Sequence, residues 1–199
     1  MDEANGERIR RLPPGPHGLS PELVARNQRE RLIAAMAEVC GERGYATSSV
    51  AEVSKRAGVS TASFYRQFTD RKECLLASFE ELFGRLLAGI EDACVDGKEP
   101  VDRARAGAAA AARLLGSDPP AARLLTIEIA AAGAEGVLAQ HGGIERLARL
   151  LRSLDARPRA GEPDEIWAAV AAMTSLAGRR AGEGRSVSAA ELEALGGML

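Results

Sequence analysis

The chain has 199 residues, with 26 Lys+Arg against 28 Asp+Glu and a formal net charge of −2, so bulk charge does not advertise nucleic-acid binding. The length suffices to bury a core without disulfides or metals, and 4% aromatic content beside abundant Ala, Leu and Gly favours helix over strand. Cys40, Cys74 and Cys94 are far apart with no Cys-x-x-Cys pair, which argues against a disulfide scaffold or zinc site and for a reducing compartment.

Residues 1–19 hold Arg8, Arg10, Arg11, Pro13, Pro14 and Pro16 without an apolar period. They read as a flexible arm. Its basic cluster either touches DNA, as homeodomain arms do, or is a plain disordered leader. No apolar stretch follows these cations, so a signal peptide is not expected; with no run of about 18 apolar residues for a membrane span, a cytoplasmic location is.

Ser20-Pro21-Glu22 opens the first helix with a cap, a proline at the first position and an acid in the first turn. Leu32, Ile33, Met36, Val39 and Cys40 supply its apolar stripe, ending near Gly44. Thr47, Ser48 and Ser49 offer caps for a short second helix whose Val50, Val53 and Ala57 face inward. Gly58 suits a tight turn of positive φ, and Ser60 or Thr61 caps a third helix carrying Phe64 and Phe68. Asp70 then caps a long fourth helix with an apolar rhythm from Leu75 through Phe79, Phe83, Leu86 and Ile90 to Cys94. Further helices are expected near 101–116, 120–132, 135–156, 163–182 and 188–199, separated by Gly and Pro clusters. No alternating strand pattern is visible, so the fold class is all-α.

The informative stretch runs from Thr47 to Phe68. It reads as two short helices joined by a glycine-centred turn, with Val53, Ala57, Val59, Phe64 and Phe68 as shared core. Thr61, Ala62, Ser63, Tyr65, Arg66 and Gln67 are left for the outer face of the third helix. Small leading side chains let such a helix seat its start deep in a major groove, and its amides and hydroxyls suit phosphate. Arg66 is the candidate base reader, because a guanidinium matches guanine O6 and N7 bidentately. Charge distribution agrees: residues 1–76 carry 12 Lys+Arg against 10 Asp+Glu, and the remainder 14 against 18.

Residues of about 28–88 resemble the DNA-binding domain of the TetR/AcrR family of transcriptional regulators. The resemblance is carried by Gly44-Tyr45, Thr47, Val50, Val53, Ala57-Gly58-Val59-Ser60, Phe64-Tyr65, Phe68 and the basic-acidic-Leu opening of helix 4. Ser54 stands where helix-turn-helix units often carry alanine, and the usual lysine opening helix 4 is matched by Arg71-Lys72. The resemblance implies that Thr47 and Ser49 bind backbone phosphate, that Ser60, Thr61, Ser63, Tyr65 and Arg66 meet DNA, and that Arg71 or Lys72 clamps a phosphate. The plain alternative makes Thr47, Ser60 and Asp70 helix caps worth about 1 kcal/mol each, and Tyr65 a core ring.

The expected organisation is an arm (1–19), a helix-turn-helix domain (20–74, motif about 49–68) and a helical ligand-binding and dimerisation domain (75–199). Helix 4 spans both halves, about 37 Å for about 25 residues, so a ligand wedged against its later turns would shift the recognition helices of a homodimer relative to the DNA repeat. Candidate pocket residues are Phe83, Leu86, Ile90, Arg113, Ile127, Glu128 and Trp167. With so few rings a stacking cage is poorly supplied, and an aliphatic or modestly polar small-molecule effector fits better, with Arg113, Arg123 or Glu128 for polarity. Homodimer contacts are expected from about 163–182 and 188–199, where Trp167, Val170, Met173, Leu176, Leu192 and Leu195 are the apolar positions.

The expected function is a repressor released from double-stranded operator DNA by that effector. The alternatives are an activator of the same build and a helical protein-interaction module that does not bind DNA. His17 and His141 sit in no His-Glu-x-x-His or Gly-x-Ser-x-Gly setting. No catalytic residue, metal site or cofactor is expected, and an enzyme is not.

Overall fold

In the computed structural model, which describes residues 20–95, 100–154, 175, 176, 178–180, 182 and 183, Ser20 starts the first helix as expected. Its hydroxyl accepts from the Leu23 amide at 3.2 Å, Pro21 occupies the first turn, and α1 runs Pro21–Arg43. Gly44 ends it at φ 79°, a value that suits a residue without Cβ. A 3-10 turn, Tyr45–Thr47, leads to α2 (Val50–Ala57) and α3 (Thr61–Gln67). Between them Gly58 takes the left-handed conformation at φ 62° and donates to Lys55 O, while the Arg31 guanidinium donates to Ala57 O. The tight turn is therefore fixed by its own backbone and from α1.

Asp70 accepts the Glu73 amide at 2.8 Å and begins α4 (Arg71–Val95). The body continues with α5 (Pro100–Ser117), α6 (Pro119–Thr126), a 3-10 turn (Glu128–Ala132) and α7 (Ala134–Leu154). No strand occurs among the described residues. The single helix expected over 120–132 is thus broken. Thr126, Ile127 and Ile129 bring three β-branched side chains into four positions, stiff at χ1 and poor at sustaining a helix. Gln140 also caps the Thr126 carbonyl at 3.0 Å. Trp167, the arm and nearly all of the helices expected at 163–182 and 188–199 lie outside the described residues.

One apolar cluster joins the two halves. It runs from Leu32, Met36 and Val53 through Phe64 and Phe68 to Leu75, Phe79, Ile90, Leu124 and Ile129, all of them buried. Each such side chain contributes about 1.5–3 kcal/mol. Close approaches set the packing. A Cβ on Gly41 of α1 would stand 2.5 Å from Pro120 Cα of α6, and one on Gly143 of α7 would meet the Phe79 and Phe83 rings at 3.1 Å. Burial pushes the Cys40 and Cys74 thiols up to about 12, so they act as small apolar groups.

Ser54 is 2% exposed, and its Oγ has no hydrogen-bond partner among the described residues. Ser54→Ala removes that unsatisfied hydroxyl and raises helix propensity. Stability should rise by about 1–2 kcal/mol, measured as a higher urea midpoint at unchanged slope. A lowered midpoint would contradict this.

Candidate nucleic-acid interface

Three helix starts in the head carry their own caps. Ser49 accepts the Glu52 amide as the N-cap of α2, and its hydroxyl donates to the Glu52 carboxylate, each at 3.2 Å. Ser60 accepts the Ser63 amide at 3.0 Å. At α4, Glu73 reaches back to the Thr69 amide at 2.6 Å, and that bond holds its carboxyl below the usual range.

The capping Ser49 and Ser60 are exposed, and so are Thr47, Thr61, Tyr65 and Arg66. Tyr65 is 59% exposed and stands edge-on to the buried Phe64 ring at 5.5 Å. Thr47 donates to Arg43 O at 2.7 Å. Exposed hydroxyls, a phenol and a guanidinium thus occupy a rigid seven-residue helix and the approach to its neighbour.

Three residues are placed differently from the expectation. Ser63 is buried, at 6% exposure, because a seven-residue helix packed by Phe64 turns the preceding position inward as well. Gln67 is half-buried and fastened to α1: its amide donates to Ala25 O at 3.2 Å, and Arg29 donates to its carbonyl while lying over Phe68. Arg71 does not stand clear as a phosphate clamp. Its guanidinium lies 4.1 Å from the Tyr45 ring centroid and donates to the Ser48 carbonyl and hydroxyl. Lys72 pairs with Glu135 of α7 at 2.8 Å, and that carboxylate holds the ammonium above the usual lysine range.

The polar tie that sequence reasoning missed is Glu128. At 7% exposure it accepts the Tyr45 amide at 2.6 Å and Arg123 Nε at 2.9 Å. It therefore bridges the loop after α1 to the corner after α6, rather than offering its carboxylate to a ligand. Of the other expected pocket residues, Phe83, Leu86 and Ile90 are buried on α4, Ile127 is half-buried and Arg113 is exposed. Phe83 stacks on Phe79 at 5.4 Å, with Arg146 5.1 Å from its centroid.

Residues 32–78, which hold all of α2, α3 and the start of α4, match the family model described as bacterial regulatory proteins, tetR family. Those residues carry a DNA-binding domain of the tetR type. The chain is also similar to the fatty acid metabolism regulator protein of Bacillus subtilis, 32% identical over 62 residues, or 31% of this chain and 32% of that protein. A second relative, the HTH-type transcriptional activator FasR of Mycolicibacterium smegmatis, is 31% identical over 91 residues, 46% of this chain and 40% of that protein. The chain thus spans about a third to two fifths of these curated relatives. The likeness to solved structures is one of fold: FadR from Bacillus subtilis, solved in complex with stearoyl-CoA, has a TM-score of 0.73 at 16% identity, over 85% of this chain and 98% of that one. Among the described residues no helix is long and apolar enough to cross a membrane, and no group of His, Cys, Asp and Glu is set to hold a metal.

Proposed function

We propose that the protein is a ligand-responsive, DNA-binding transcriptional regulator, a homodimer released from its operator by a long-chain acyl-CoA. The observation that carries the DNA-binding reading is the exposed Thr61-Tyr65-Arg66 face of α3, backed by buried Phe64 and Phe68. Thr47, Ser49 and Ser60 position it through phosphate contacts, and Lys72 joins them by exchanging Glu135 for a phosphate. Dimer contacts come from 163–182 and 188–199, which places two heads on successive turns of the duplex. The acyl effector is supported by the aliphatic body around Leu86, Ile90, Leu124 and Ile129, and by the fold shared with the stearoyl-CoA-bound FadR. Repression is the primary mode. The activator FasR among its relatives favours activation as the second reading.

The test starts with enrichment of duplexes from a random pool, followed by mobility shifts with stearoyl-CoA, free coenzyme A or a matched detergent. The enriched duplex should bind in 50 mM salt and weaken about 10³-fold by 200 mM, as phosphate-driven binding does. Stearoyl-CoA should release it where coenzyme A and detergent do not. No enriched duplex at low salt defeats DNA binding; equal release by coenzyme A defeats the acyl assignment alone. Transcription in vitro from a promoter carrying the duplex separates repression from activation.

A further inference from the structure

Three polar side chains, the N-cap of α3 and two on the helix itself, are wired together. The Ser60 hydroxyl, already accepting the Ser63 amide, donates to Ser63 Oγ at 3.0 Å, and Arg66 Nη2 donates to the same Oγ at 2.7 Å. A serine oxygen has two lone pairs. Both are occupied here, on a residue 6% exposed. Ser63 is therefore sealed from a ligand and saturated as an acceptor, while Arg66 beside it is exposed.

We infer that Ser63 is a positioning residue: it holds the Arg66 guanidinium against α3 so that its remaining donors meet a base edge rather than the nearest phosphate. The inference rests on the proposed DNA-binding reading and adds to it the origin of Arg66's selectivity. An arginine carries five N–H donors, and Nη2 has two of them. One is spent on Ser63, and the other, together with an N–H of Nη1, stays available for a fork on guanine O6 and N7. An untethered arginine samples many rotamers and must be ordered at the moment of binding, which costs affinity for the site that demands one geometry. Phosphates make no such demand, since they run along the whole backbone and position without specifying. The tether thus acts on the ratio of operator to random binding more than on binding itself. Ser60 completes the device, because the cap that starts the helix also fixes the hydroxyl that fixes the arginine.

The experiment compares wild type, Ser63→Ala, Arg66→Ala and the double variant on the duplex that wild type enriches from a random pool and on its scrambled counterpart. Alanine raises the helix propensity of the position, and circular-dichroism melts verify that each variant folds. Ser63→Ala should lose about fivefold to 150-fold in the ratio of enriched to scrambled binding, the size of the ordering cost of two long side chains, one per subunit of the dimer. In the Arg66→Ala background the same change should cost nothing further. An unchanged ratio in Ser63→Ala, or an equal loss with and without Arg66, overturns the inference while leaving DNA binding in place. A wild-type chain that enriches no duplex overturns the DNA-binding reading itself, and this inference with it.

Discussion

Glu128→Ala is expected to lower the thermal midpoint by about 5–15 °C. The carboxylate satisfies two donors at once, the Tyr45 amide and Arg123 Nε. Without it the Tyr45 amide is left buried with no acceptor, a loss of about 1–3 kcal/mol. The Arg123 side chain loses its partner too, but at 32% exposure water relieves part of that cost. The sum is about 2–4 kcal/mol, and a chain of this size shifts by about 2–4 °C per kcal/mol. Glu128→Gln keeps an acceptor for Tyr45 and should fall by about half as much. Hydrogen exchange supplies a local check, since the Tyr45 amide should exchange faster in the alanine variant than neighbouring amides inside α1. A variant melting within about 2 °C of wild type would show the tie to be incidental.

The second large effect is on recognition. Arg66→Ala should weaken binding to the enriched duplex by about 30- to 1000-fold. A bidentate arginine–guanine pair contributes on the order of 1–2 kcal/mol of discrimination, and a dimer loses two of them. The scrambled duplex should lose far less, because its binding is carried by phosphates. Stability should stay within about 0.5 kcal/mol, since Arg66 is exposed and bonds within its own helix. Equal weakening on both duplexes would make Arg66 a phosphate contact.

The head was legible because its determinants are local. Ser49, Ser60 and Asp70 each cap the helix that follows them within three residues, and Gly58 meets a backbone demand that no distant residue sets. Apolar spacing likewise exposed Phe64, Phe68 and Phe79 as core. What sequence could not reveal is pairing across distance. Arg71 and Lys72 are adjacent cations at one helix start, and nothing local distinguishes them. Only the fold brings Tyr45 under the first and Glu135 beside the second. Glu128 looked like a ligand contact for the same reason, because its partner Tyr45 lies 83 positions away. Ser63 was misplaced for a subtler cause: in a helix of seven residues the boundary between faces is set by the neighbouring helices rather than by periodicity.

Tyr45 is gripped from two directions, by Glu128 through its amide and by Arg71 across its ring. Nearby, Gly41 touches Pro120 with no room for a methyl group. The head is therefore bolted to α6 at Pro120 and to the 3-10 turn after it at Glu128, and cannot swivel on α4 alone. Any rotation that changes the spacing between twin heads has to drag α6 along or shear both fastenings.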